Sequence, residues 1–183
     1  MAVAEPDELV VLLAENGQPC GTALKAEVHS DSTPLHLAFS CWLFDGQQRT
    51  LVTRRAAGKR TWPNVWTNSY CGHPAPGERI EDAIHRRAAV ELGTHVSEPV
   101  AVLPDFRYRA VMADGTVENE VCPVYIARLL SPAQPNPDEV DDLRWVPYAD
   151  LPTAVSQAPS TYSPWMSQQL DLLLSSGWRP PSA

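Results

Sequence analysis

The strongest chemical signal in this chain is the hexapeptide Val117-Glu118-Asn119-Glu120-Val121-Cys122. On an extended strand side chains alternate, so Glu118, Glu120 and Cys122 share one face. Two carboxylates spaced about 7 Å apart repel each other, so they either face solvent or share a cation. Three histidines, His29, His36 and His73, each lie in or beside a loop. Three imidazoles and two carboxylates suit Zn2+ or Mn2+, although the spacing is not that of a zinc finger.

A second constellation lies on a predicted helix, Glu78 to Leu92, with Gly93 as its stop signal. At helical periodicity Ile80, Ile84, Arg87 and Glu91 fall on one face, beside Ala83. That face is either an apolar stripe ending in an i,i+4 ion pair, or part of a site. In the second case Glu91 binds a divalent cation and Arg87 meets an anion. Mg2+ takes oxygen ligands and is often shared with substrate phosphates. Lys25, Arg54, Arg55, Lys59 and Arg60 supply further cations, unless they are a solvated strand end and loop.

Four aromatics, Trp62, Trp66, Tyr108 and Trp165, lie near these segments, while Trp42 and Trp145 read as core. A desolvated π face stabilises a cation by about 2 kcal/mol. Cys41 sits in an apolar run and reads as a small core residue. Cys71, in Asn68-Ser69-Tyr70-Cys71-Gly72-His73, is a candidate reactive thiol. Its ordinary pKa is about 8.5, and a nearby cation lowers it.

The elements that must position these groups are strands at Glu8–Ala14, His36–Phe44, Thr50–Arg54 and Val65–Ser69, with His36–Phe44 and Thr50–Arg54 as a hairpin. Val100–Ala110 and Thr116–Leu130 read as long strands around an Asp114-Gly115 turn, and Asp142–Val146 as another strand. Tyr148–Ser156 and Trp165–Ser175 read as helices, and Ser131–Asp138 as a Pro-rich loop. Strands, hairpins and interspersed helices give an α+β fold, a mixed sheet packed by helices.

With 183 residues the chain suits a single domain, and its 44% hydrophobic content can form a core. The net charge of -8 argues against nucleic-acid or membrane-surface partners, so an anionic substrate needs local cations or a metal. The acidic start lacks the features of a secretory signal, and no apolar run is long enough to span a bilayer. The four cysteines contain no C-x-x-C pair. A reduced, cytoplasmic protein is therefore expected.

Several strings together resemble type I isopentenyl-diphosphate isomerases. Thr67-Asn68-Ser69-Tyr70-Cys71-Gly72-His73-Pro74 is similar to their active-cysteine motif. Tyr108-Arg109-Ala110, with Glu118-Asn119-Glu120-Val121-Cys122-Pro123, is similar to their second motif. His36-Leu37-Ala38-Phe39-Ser40, Thr53-Arg54-Arg55, Trp62-Pro63 and Ser163-Pro164-Trp165-Met166 match in the same order. The resemblance implies one Nudix-like domain over residues 8–176, an α/β/α-like sandwich, with a flexible start at 1–7 and a flexible tail at 177–183. Gly72-x5-Glu78-x7-Arg86 keeps the first part of the Nudix box. Further on, Arg87 stands where hydrolases carry Glu, and of two expected adjacent glutamates only Glu91 remains. That departure speaks against diphosphate hydrolysis.

The resemblance also implies roles. His29, His36, His73, Glu118 and Glu120 hold a first metal, Mn2+ or Zn2+. Glu91 and the Cys71 carbonyl hold Mg2+ on a prenyl diphosphate, which Lys25, Arg55, Lys59 and Arg87 contact. Cys71 and Glu120 form the acid–base pair, assisted by Tyr108, and Trp165 faces a cationic intermediate. The partner implied is this small molecule alone, with the protein a monomer. A Nudix hydrolase and a non-catalytic metal-binding module are the competing readings.

Overall fold

The computed structural model describes residues 8–181; the expected flexible start at 1–7 and the last two residues of the expected tail lie outside them. Two sheets form instead of one. The smaller contains β1 (Leu9–Leu13), β2 (Pro19–Leu24), β3 (His36–Leu37), β9 (Arg107–Val111) and β10 (Val117–Val121), ordered β2-β1-β3-β10-β9. The larger is built on β12 (Val140–Pro147), β5 (Arg49–Arg55), β4 (Phe39–Phe44), β11 (Val124–Arg128) and β8 (Val100–Leu103), in that order. Its short additions are β6 (Trp66–Thr67) on β5 and β7 (Tyr70–Gly72) on β4.

The predicted long strands are each broken where they pass between sheets. His36–Phe44 splits at Ala38 into β3 and β4. Thr116–Leu130 splits at Cys122-Pro123 into β10 and β11. Pro123 has no N–H to continue a ladder. Val100–Ala110 breaks likewise at the Pro104-Asp105 turn. The two bent strands run parallel, β3 beside β10 and β4 beside β11, so both cross the seam side by side. The predicted hairpin of β4 and β5 is also looser than expected: they pair only at Phe44 and Thr50 before diverging to accept β7 and β6. Strand β2 escaped the sequence reading, because a polar, Pro-initiated stretch lacks a strand pattern.

Strand β4 is buried along its whole length, as expected for a strand covered on both faces. Phe39, Cys41 and Leu43 face α1 (Ile80–Leu92) together with Tyr70, Ile84, Ala88 and Leu92. Trp42 and Phe44 join Trp165, Met166 and Leu170 of α3 (Pro164–Ser175) on the other face. The larger sheet is thus packed between helices, in the α+β arrangement expected. A short α2 (Leu151–Gln157) precedes α3, whose N-terminus is capped by the Ser163 hydroxyl accepting from Met166 N at 3.3 Å. Trp178 rests against Phe44 and Tyr148, with ring centroids 5.4 and 5.6 Å away. Among the described residues, no helix is long and apolar enough to cross a membrane.

Helix α1 ends as the sequence predicts. Gly93 adopts φ +56°, and its N–H bonds Ala89 O at 3.1 Å. A Cβ on Gly93 would lie 2.5 Å from Gln134 O, on the segment that caps the helix. Gly93→Ala is therefore expected to destabilise the protein by about 1–3 kcal/mol, measured by urea denaturation. Gly72 serves a different purpose. A Cβ there would lie 2.7 Å from Arg87 Cγ, so the bare backbone lets the Arg87 stem pass toward the cavity.

Candidate active site

A cavity of about 880 Å³ opens over the seam between the sheets. Its lining includes Ala38, the residue at which β3 passes into β4. On the smaller-sheet side, Glu120 pairs in register with His36 on one neighbour and Tyr108 on the other. On the larger-sheet side, Cys71 pairs in register with Ser40. Cys71 and Glu120 hang from different sheets and line the same cavity, together with Tyr108 and Trp165.

The carboxylate of Glu120 is the hub of the smaller-sheet side. Its Oε1 lies 3.1 Å from His73 Nε2 and 3.3 Å from His36 Nε2, and its Oε2 accepts from the Tyr108 hydroxyl at 2.9 Å. Donor atoms of His29, His36, His73 and Glu120 all lie within 4.8 Å of one another, the donor set of a divalent metal. Glu118 stands outside this four-atom group. It holds His29 through Oε2, 3.0 Å from Nε2, although it shares the face of Glu120 as the strand alternation predicts.

The proton positions fit a metal. His36 Nδ1 lies 2.9 Å from Pro34 O, a carbonyl that can only accept, so Nδ1 carries the proton. A neutral ring then turns the lone pair of Nε2 toward a carboxylate oxygen. Nε2 of His36 and Nδ1 of His73 are both buried without a hydrogen-bond partner. Burial works to lower the His36 pKa, yet Glu120 reverses this and the net shift is upward: the pocket asks for positive charge there. Burial drives His73 down to about 4, against the pull of Glu120, which leaves it a neutral ring at ordinary pH, the form able to bind a metal.

The thiol departs from expectation. The sequence reading has a nearby cation lowering the Cys71 pKa. Burial instead pushes it up to about 11; the Ser40 hydroxyl and Arg55 pull it down, and the Glu120 carboxylate adds to the rise. A divalent cation held beside Glu120 would offset that last contribution.

A buried polar frame fixes the thiol and the indole. Trp42 Nε1 donates to Gln169 Oε1 at 2.9 Å, so Gln169 Nε2 donates to Ser40 Oγ at 2.8 Å. Ser40 Oγ lies 3.3 Å from Cys71 Sγ and 3.4 Å from Cys122 Sγ. Asn68 Oδ1 accepts from Trp165 Nε1 at 3.2 Å and from Cys71 Sγ at 3.5 Å. The indole of Trp165 packs against Tyr108 and Trp62, with Arg55 Cζ 5.2 Å from its centroid.

Lys25, Lys59 and Arg87 stand near one another in the cavity wall, and Arg55 and Arg60 line the cavity as well. Lys25 pairs with Glu8 at 2.7 Å, Arg87 with Glu91 at 2.7 Å and Glu139 at 3.1 Å, and Lys59 with Glu139. The guanidinium of Arg55 donates to the Thr61 carbonyl at 2.8 Å. Arg60 is tied to the carbonyls of Ala26 and His29, joining the two loops that rim the cavity. Arg54 lies apart from the cavity lining and pairs with Asp141. Arg87 and Glu91 do form the i,i+4 pair of the simpler reading, but they form it in the cavity wall.

Sequence reasoning missed Ser40, Asn68, Gln169 and Glu139. Gln169 carried a usable signal, as a polar residue in the stripe Trp165, Met166, Leu170 and Leu173. Glu139 had none, since it follows a Pro-rich loop without periodicity.

Comparison with known proteins agrees with this geometry. The NUDIX domain family matches residues 34–167. Among solved structures, DR0079 from Deinococcus radiodurans superposes with a TM-score of 0.70 at 19% identity, covering 90% of this chain and 98% of its own. A MutT NUDIX hydrolase from Burkholderia pseudomallei gives 0.59 at 20% identity, covering 75% and 96%. These likenesses concern the fold. In sequence, the isopentenyl-diphosphate Delta-isomerase of Leifsonia xyli subsp. xyli is 57% identical over 97% of both chains. The enzyme of that name from Mycolicibacterium vanbaalenii is 52% identical, also over 97% of both. With such identity along nearly the full length of its relatives, and a NUDIX match across most of the chain, this protein belongs to the isopentenyl-diphosphate Delta-isomerase family of the NUDIX fold.

Proposed function

We propose that this protein interconverts isopentenyl diphosphate and dimethylallyl diphosphate by protonating the alkene at one carbon and deprotonating a neighbouring one. The observation that carries this reading is the pair of candidate proton-transfer groups, Cys71 and Glu120, which hang from different sheets and line one cavity together with the Trp165 indole. An unactivated alkene is a very weak base, and its protonation gives a tertiary carbocation that water would capture. The site must therefore position an acid, stabilise the cation and exclude water.

Glu120 holds the proton on one side, with the Tyr108 hydroxyl 2.9 Å away as a relay. In the form ready for this direction the proton shared by the pair sits on the carboxyl, and Cys71, as the thiolate, takes a proton from the neighbouring methylene on the other side. One proton leaves the carboxyl and one arrives at the sulfur, so the roles reverse with direction. Trp165, 2% exposed, stabilises the cation while its N–H is held by Asn68. His29, His36, His73, Glu118 and Glu120 would hold Mn2+ or Zn2+, Glu118 lying 3.0 Å from His29 Nε2 beside the other four. Glu91 and the Cys71 carbonyl would hold Mg2+, and Lys25, Arg55, Lys59 and Arg87 would contact the diphosphate. Bound metal supplies charge compensation for the carboxylate and the phosphates. The substrate is a small molecule, taken by a monomer in the cytoplasm.

Incubation with isopentenyl diphosphate and Mg2+ in heavy water tests the reaction. Deuterium is expected in the dimethylallyl diphosphate recovered. Release of phosphate without isomerisation would assign the chain to the hydrolases instead.

A further inference from the structure

Glu139 has no role in the chemistry above, yet its carboxylate lies between two of the cations proposed for the diphosphate. Oε1 accepts from Arg87 Nη2 at 3.1 Å, and Oε2 accepts from Lys59 Nζ. The two cations come from different elements, Arg87 from α1 and Lys59 from the loop after β5. The backbone around Glu139 is tied to both. Ala56 N donates to Glu139 O at 3.0 Å, and Asn136 N and Gln134 N bond the Glu91 and Leu92 carbonyls at 2.9 and 2.7 Å. The carboxylate therefore stands where the chain holds it.

The donor count shows what this contact leaves free. Glu91 accepts from Nε and Nη2 of Arg87, and Glu139 accepts from Nη2 as well, which engages the Nε and Nη2 edge of the guanidinium. A guanidinium also carries donors on Nη1, and an ammonium has three donors of which Glu139 takes one. Both cations keep donors for an incoming anion. A third cation, Lys25, feels both: burial lowers its pKa first, and Arg87 and Lys59 add to the fall. Without a carboxylate between them, two like charges in one wall would move apart toward water.

A carboxylate so placed is either a plug that competes with substrate or a strut that sets the cations for it. The backbone anchoring and the unused donors favour the strut. We propose that Glu139 is a positioning residue, which holds Lys59 and Arg87 as a fixed pair so that their remaining donors converge on one diphosphate group. This rests on the reading that the cavity takes a prenyl diphosphate.

The test is Glu139→Gln in the full chain, with inorganic diphosphate and Mg2+ as the binding probe and isopentenyl diphosphate as the kinetic one. Loss of a shared charge partner is expected to weaken diphosphate binding and raise KM by about tenfold each, with kcat within about twofold. Glu139→Asp, which keeps the charge, is expected to recover part of the affinity. In a Lys59→Met background the same Glu139→Gln change is expected to cost much less, since the pair no longer exists. Tighter binding in Glu139→Gln would make the carboxylate a competitor and overturn the proposal. So would an unchanged Kd, or an equal loss with and without Lys59. Diphosphate binding by calorimetry does not require turnover. A wild-type protein that binds diphosphate but fails to isomerise would sink the reaction and leave Glu139 testable by itself.

Discussion

Cys71→Ala is expected to lower kcat by about a thousandfold or more, within the range lost when a positioned acid–base group is removed. No nearby group is placed to substitute. Ser40 is the closest hydroxyl to the sulfur, at 3.3 Å, but it receives the Gln169 amide and is buried in the strand ladder behind the thiol. Cys122 lies beyond Ser40, and burial raises its pKa well above the ordinary thiol value. The alanine side chain fills most of the same space, so the cost in stability is on the order of 1 kcal/mol. The measurement is turnover of purified variant alongside its thermal unfolding. Near-normal turnover from a folded variant would remove Cys71 from the mechanism.

Glu120→Gln is expected to be nearly as severe, lowering kcat by about 100- to 10,000-fold, because an amide can neither give nor accept the transferred proton at neutral pH. It should differ from Cys71→Ala in a second readout. Two imidazoles and the Tyr108 hydroxyl converge on this carboxylate, so the amide breaks the donor set as well. Metal content measured on purified protein is expected to fall for Glu120→Gln and to stay at the wild-type level for Cys71→Ala. Retained metal with lost turnover would confine Glu120 to proton transfer. Retained turnover would contradict the proposed chemistry altogether.

Much of this arrangement was legible before any coordinates. The period of two on β10 put Glu118 and Glu120 on one face, and the period of 3.6 on α1 put Arg87 and Glu91 on another. Both patterns are local, and both survive folding. The strand lengths were not legible, because a bent strand and a straight one share the same alternation. Pro123, the Pro104-Asp105 turn and the change of partner at Ala38 mark where one sheet hands over to the next. The lowering of the thiol pKa by a nearby cation, expected from sequence, is outweighed for a related reason. How deeply a sulfur is buried depends on the fold, and burial raises its pKa more than Arg55 lowers it, with the Glu120 carboxylate adding to the rise. Glu139 was invisible because its partners, Lys59 and Arg87, lie 80 and 52 residues away in the chain.

The two parallel bent strands have a mechanical consequence. They are shared by the carboxylate-bearing layer and the thiol-bearing layer, so the angle at Ala38 and at Cys122-Pro123 sets the gap between the two groups. Ala38, 1% exposed, lines the fold of that hinge with a single methyl group. The width available to a guest is thus a property of backbone curvature.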